Sequence, residues 1–296
     1  MVARTRESDS ERMKTFYDDR MVCNSSSFSP SAAKPRDVVH SWQEAGIHLD
    51  LVAPEPATRE ELSTAHDPNF VNDVLDGKRK NGFGNKSIAV AATLPYTTGA
   101  MLTAARWVLS EGGVAAAPCS GFHHAGFARS GGYCTFNGLM VTACVLKAEG
   151  RVQRVAILDF DHHYGDGTVE IIEKLGIDWV QHVTMGERSW GRSDVPSFMA
   201  SIDTWIEEMA GCDLLLYQAG ADPHIADPLG GWLTTDELRE RDRRVFRAAR
   251  ARNLRVVWNL AGGYQKPLRK VLDIHDNTAL ECVAAWADSR QVASAH

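Results

Sequence analysis

The chain has 296 residues, 44% of them hydrophobic, which is enough to bury a large core in one or two domains. Its 32 Lys and Arg against 38 Asp and Glu give a formal charge of -6, so it lacks the basic excess that nucleic-acid binding relies on. Six scattered cysteines (Cys23, Cys119, Cys134, Cys144, Cys212, Cys282) form no CxxC pair and lie mostly in apolar stretches, which reads as reduced thiols in a cytoplasmic setting.

Taken in chain order, the N-terminal MVARTRESDSERMKTF is charged throughout and lacks the apolar core of a secretion signal. No run approaches the length of a membrane span, so the expectation is a soluble, cytoplasmic protein with no membrane partner. Cys23 to Arg36 is rich in Ser and Pro and reads as a surface loop. From Tyr96 onward, helix-like stretches alternate with short apolar runs that end in clusters of Gly and polar residues. The predicted strands are Val114 to Ala117, Val155 to Phe160, Leu214 to Gln218 and Val256 to Leu260, each apolar enough to be a parallel strand buried on both faces. Helices are predicted over Thr98 to Ser110, Asn137 to Ala148, Thr168 to Leu175, Val195 to Met209, Thr234 to Ala251 and Pro267 to Ala287. The expected fold is therefore α/β: a single domain over 1–296, with a mostly parallel central sheet and helices on both faces.

Each predicted strand runs into an unusual polar cluster: VAAAPCSGFHHAG, VAILDFDHHYGDG, LLLYQAGADP and VVWNLAGGY. Ligands of open parallel sheets bind beyond the carboxyl ends of strands, so the four clusters are expected to converge on one crevice. If the second strand continued to His163, its period of two would put Asp159, Asp161 and His163 on one side. Two carboxylates and an imidazole on one face are costly to bury without a compensating cation, although a hydrogen-bonded strand end is the competing reading. Asp222, at another strand end, would alone read as a turn or cap before Pro223. Paired with the second cluster it supplies another carboxylate, and three protein ligands with a position left open describe a catalytic rather than a structural zinc site.

The tandem His123-His124 lies between Gly121 and Gly126, in a loop where adjacent side chains need not diverge. Amide hydrolysis needs a base for the attacking water and an acid for the leaving amine, and imidazole serves both near neutral pH. Tyr264 follows Gly262-Gly263 after the last strand. Its phenol reads either as a donor to a developing oxyanion or as a core tyrosine.

Together these residues resemble the histone deacetylase and acetylpolyamine amidohydrolase family. The match runs from about Phe16 to at least Leu272 and includes, in the family's order, GFHHAG, GGYCTFNG, LDFDHHYGDGT, YQAGADPHIADPLGG and NLAGGY. The resemblance implies an arginase/deacetylase-like fold and zinc-dependent hydrolysis of an acyl-lysine or an acylated small amine such as a polyamine. It implies one zinc per chain held by Asp161, His163 and Asp222, with a structural monovalent cation as an accessory. His123 and His124 correspond to the acid and base pair, Asp159 and Asp166 to the carboxylates that orient them, and Tyr264 to the oxyanion-stabilising tyrosine. Gly132 and Tyr133 match the lining of the acyl-lysine tunnel, with Tyr133 where phenylalanine is usual. Arg36, in KPRDVVHSW, resembles the arginine of the internal acetate-release channel.

The chain also departs from that pattern, with His162 before the implied ligand and Tyr164 after it. Asp161 and Asp222 are only 61 residues apart, and the rim aspartate that grips protein substrates has no match, so both features weigh against histone. A dimanganese arginase-type site would need a D-x-D-x-x-D-P arrangement, which GADPHIADP does not offer. A non-catalytic acyl-binding relative would be expected to lack the His pair or the tyrosine.

Overall fold

The structure is a computed structural model that describes residues 12–287; both ends of the 1–296 span, and most of the charged N-terminal segment, lie outside the described residues. In chain order the elements are β1 (Met13–Phe16), α1 (Lys34–Glu44), β2 (Leu49–Val52), α2 (Arg59–Leu62), α3 (Pro68–Leu75) and α4 (Ile88–Glu111). There follow β3 (Val114–Ser120), α5 (Gly138–Ala148), β4 (Val155–Asp159), α6 (Asp166–Leu175), β5 (Val180–Thr184) and α7 (Val195–Glu208). The last four are β6 (Leu214–Gly220), α8 (Thr235–Ala251), β7 (Val256–Ala261) and α9 (Arg269–Ala287). The seven strands form one sheet in the order β2-β1-β3-β7-β6-β4-β5, and every pair is parallel. The four apolar strands foreseen from sequence are its centre: β4, β6 and β7 are buried at every residue because helices cover both faces. Two apolar clusters divide the faces, one around Trp42, Phe198, Tyr217 and Trp258, the other around Phe70, Phe122, Leu139 and Ile157.

The elements that sequence patterning missed lie at the margins. β2 and β5 are the two edge strands and are mostly half-buried, so LDLV and VQHVT carry no continuous apolar run. α1 begins at Lys34, inside the segment expected to be loop, because Pro35 suits the first turn of a helix. α4 begins at Ile88 rather than Thr98: Ser87 caps it by accepting from the Val90 N–H, and Pro95 is tolerated inside, its carbonyl taking the Ala57 N–H at 2.9 Å. At 24 residues α4 is long and apolar enough to cross a membrane, which corrects the expectation that no such run exists; it is packed instead between α5, β3 and other core elements, with most of its apolar window buried. β4 also stops at Asp159, where its register with Gln218 of β6 ends, so the strand does not continue to His163.

His66 ties the segment before α3 to the loop after β3. Its buried ring donates from Nδ1 to the Gly126 carbonyl at 2.9 Å, and its Nε2 accepts from the Asn137 N–H at 2.8 Å, which fixes the tautomer. Burial lowers its pKa from 6.5 to about 4, against the opposing pull of the Gly126 carbonyl. The folded chain thus resists a proton that the unfolded chain accepts below pH 6.5, so stability falls as pH drops from 6.5 through 4, by about 3 kcal/mol from this group. His66→Gln, which can still donate and accept, should flatten the loss of thermal midpoint between pH 7 and pH 4.5. An unchanged pH slope in that variant would show that His66 does not carry this term.

Candidate active site

β3, β7, β6 and β4 are consecutive neighbours in the sheet, so the loops leaving their carboxyl ends meet above the same edge. Beyond β4 the chain bends, and Asp161 and His163 turn towards Asp222, which follows β6. The two carboxylates are 4% and 0% exposed. His163 Nδ1 lies 3.1 Å from Asp161 Oδ1 and 3.0 Å from Asp222 Oδ2, and one potential ligand atom from each residue falls within 4.8 Å of the others. Hydrogen bonds to Asp161 and then Asp222 raise the His163 pKa to about 11, while burial and the Asp161 charge push Asp222 upward. These are the signs of buried negative charge in excess of the local donors. Two buried carboxylates and one half-buried imidazole converging at one point are a donor set that a divalent cation fits. Among the described residues this is the one group of three or more such side chains.

Backbone dispositions settle which histidine faces the carboxylates. His162 points away, its ring so close to Gly230 that a Cβ there would lie 2.0 Å from Cδ2, although its N–H donates to Asp222 Oδ1 at 3.1 Å. Tyr164 is 41% exposed. Asp159 stays in the strand; its Oδ2 accepts from His123 Nδ1 at 2.7 Å, and its Oδ1 from Gln218 Nε2 at 2.7 Å and from the Asp161 N–H at 3.2 Å.

His124 is held in the same way, its Nδ1 donating to Asp166 Oδ1 at 2.6 Å, and the two imidazole centroids are 4.1 Å apart. Their electrostatics diverge. Burial opposes protonation of His123, but Asp159 and Asp161 outweigh it and lift the pKa to about 9. Burial and the neighbouring His123 charge lower that of His124. Paired groups pushed apart in this manner do not take up a proton with equal ease, which suits one of them to proton transfer. Gly132 makes the arrangement possible: at φ +54 it lies on the His124 ring, where a Cβ would come within 2.3 Å of Cδ2.

An aromatic series lines the approach. Tyr133 is 5.8 Å from Tyr264 and 6.1 Å from Phe83, and Phe28, 54% exposed, stacks on Tyr264 at 6.1 Å. The Tyr264 N–H donates to Asp227 Oδ2 at 2.8 Å, and burial with the nearby Asp161 and Asp222 charges raises its pKa, so the phenol stays protonated. Arg36 stands apart from this cluster. Its side chain is 46% exposed and bonded to Asp19 at 3.0 Å, so it does not occupy an internal channel. The buried cation of that segment is Lys34, fully enclosed, donating from Nζ to the Gly262 carbonyl and feeling the Asp222 and Asp161 charges. The shift from Arg36 to Lys34 follows from α1: two residues along a helix lie on different faces.

Several contributors went unread in the sequence. Gln218, the polar residue in the apolar run LLLYQAG, carried a visible signal. Arg129, which bridges Asp166 Oδ2 at 2.6 Å and Glu170, sits between two recognised motifs without a pattern of its own.

Residues 29–185 and 190–277 match the family model described as the histone deacetylase domain. Histone deacetylase 2 of Arabidopsis thaliana is 26% identical over 265 residues, covering 75% of this chain and 65% of that protein, so the chain spans just under two thirds of that relative. Among solved structures, the HDA15 HD domain superposes with a TM-score of 0.75 at 20% identity, covering 93% of this chain and 90% of that one. An acetylpolyamine aminohydrolase from Burkholderia pseudomallei gives 0.71 at 18% identity, covering 92% and 99%. At these identities the two structures speak to a shared fold.

If Asp161, His163 and Asp222 hold one divalent ion, Asp222→Ala should lose most of the metal found by elemental analysis of the purified chain. Gly262→Ala should weaken it too, because a Cβ at that φ of +49 would stand 2.2 Å from Asp222 Cγ. Full occupancy in Asp222→Ala would remove that residue from the ligand set.

Proposed function

The chain belongs to the histone deacetylase domain family, and from that footing we propose that it hydrolyses an acyl amide, releasing a carboxylate and a free amine. The observation that carries the reading is the pair of adjacent imidazoles, each held by its own carboxylate, beside the candidate metal triad. The chemistry that zinc supplies when bound at Asp161, His163 and Asp222 is Lewis-acid polarisation of the carbonyl and acidification of water.

The chain's own residues do the rest. His124 donates its Nδ1 proton to Asp166, so its neutral ring presents a bare Nε2. That atom takes the proton from water as the water oxygen bonds to the acyl carbon, and returns it to the amide nitrogen as the C–N bond breaks. Asp166, itself held by Arg129, keeps the ring in this tautomer. His123 donates from Nδ1 to Asp159, which fixes its ring, and turns its Nε2 to within 3.5 Å of Asp161 Oδ1 beside the reacting centre. Tyr264 stays protonated and donates to the oxygen on which negative charge develops. Tyr133 and Gly132 form the wall along the substrate's alkyl chain. Retention of both histidines and of Tyr264 favours turnover over binding alone.

The substrate class we propose is an acylated amine, either acyl-lysine or a small acylated amine such as a polyamine. The short interval from Asp161 to Asp222 leaves few rim contacts for a folded protein, which favours the small substrates.

His124→Ala and Tyr264→Phe should retain fold and metal while losing turnover by roughly a hundredfold or more, the scale on which a lost donor is felt elsewhere. Near-normal rates in either variant would sink the mechanism. Separately, kcat/KM for an acylated small amine should equal or exceed that for intact acetylated histone, and a hydroxamate should inhibit. A clear preference for the histone would reject the small-substrate reading and leave the hydrolytic one standing.

A further inference from the structure

Arg241 of α8 has no exposed surface. Its NH1 donates to the Gly220 carbonyl at 2.7 Å and to the Phe160 carbonyl at 3.3 Å, and its Nε donates to Asp242 Oδ1 at 2.8 Å. Asp242, equally buried, also accepts from the Tyr217 hydroxyl of β6 and from Thr278 Oγ1 of α9 at 2.6 Å. An enclosed ion pair of this kind adds little stability beyond what an apolar pair of similar volume would give. What an apolar pair cannot do is donate to two carbonyls at once. Those carbonyls are chosen by position: Phe160 directly precedes Asp161, and Gly220 stands two residues before Asp222. Here the two backbones lie close together, since a Cβ on Gly220 would fall 2.5 Å from the Phe160 carbonyl and 2.6 Å from Asp161 Cα.

We propose that Arg241, braced by Asp242, is a positioning residue for the candidate metal centre: one guanidinium nitrogen holds both ligand-bearing backbones and so sets the spacing of Asp161 and Asp222. This rests on the metal site of the preceding section. The mechanism is backbone restraint. If the guanidinium is lost, the carbonyls are left unpaired in a dry setting, the strand ends part to satisfy them, and the two carboxylates no longer meet a cation at one point.

The test uses the full chain and four variants: Arg241→Met, Arg241→Lys, Thr278→Val, and as a control Phe246→Leu, which disturbs the apolar contacts of α8 with Tyr217 and Trp258 but neither carbonyl. Three quantities are read: zinc affinity by competition with a chelating indicator, the visible spectrum of the cobalt-loaded protein, and the thermal midpoint. Arg241→Met should weaken zinc binding by about tenfold or more and alter the cobalt bands, as loss of a group that supports a metal ligand does elsewhere. Arg241→Lys, which keeps one donor, should recover part of that loss, and Thr278→Val should fall between the lysine variant and the parent. Phe246→Leu should lower the thermal midpoint while leaving zinc affinity within about twofold, below the effect expected from losing support to a ligand. Should Arg241→Met not fold, parental affinity and spectrum in the lysine and valine variants would overturn the proposal, and so would a control that weakens zinc as much as Arg241→Lys. Failure of the metal site itself looks different: the unaltered chain would then bind no zinc, or Asp222→Ala would bind it undiminished, and either result would overturn both readings.

Discussion

The carboxylates of Asp159, Asp161 and Asp222 are 0 to 4% exposed and crowd the ends of two adjacent strands. Buried negative charge at that density is tolerated only if nearly every oxygen has a partner, and the surrounding structure supplies them. Gln218 and His123 hold Asp159; the His163 N–H and ring hold Asp161; the His162 N–H and the His163 ring hold Asp222. Two fully enclosed cations, Lys34 and Arg241, flank the cluster and bond to carbonyls rather than to these carboxylates. The excess therefore stays available to a ligand of opposite charge.

The same constraint accounts for the backbone around the site. Gly132, Gly220 and Gly262 each bring main chain against a functional side chain or a strand end that a Cβ would strike. His123 is raised because the carboxylate cluster outweighs its burial, whereas His124 is lowered by burial and then by the His123 charge beside it.

How much of this was legible in the sequence depends on whether one residue's character sufficed. The four central strands announced themselves because burial on both faces demands an unbroken apolar run, as in Val155 to Asp159. The clusters after them could be assigned to one crevice because parallel topology places every strand's end on the same side. Edge strands β2 and β5 carry mixed residues and gave no such run. Arg36 resembles the arginine of an internal channel by motif, but the helix turns it outward and buries Lys34, a choice that depends on helix phase and not on residue type. Arg241 lay unnoticed for a related reason: in RERDRRVFRAAR it is one arginine among several, and only packing separates it from its solvated neighbours.

The sheet order carries a further consequence. β4 and β6 are direct neighbours, yet α6, β5 and α7 lie between them in the chain, and β5 forms the outer edge of the sheet. Residues added to or deleted from the loops of that excursion are absorbed at the sheet's periphery, because the two ligand strands are joined directly, by their own ladder up to Asp159 and Gln218 and by Arg241 just beyond it. A chain built this way can lengthen or shorten the loops around β5 over generations without moving Asp161 or Asp222.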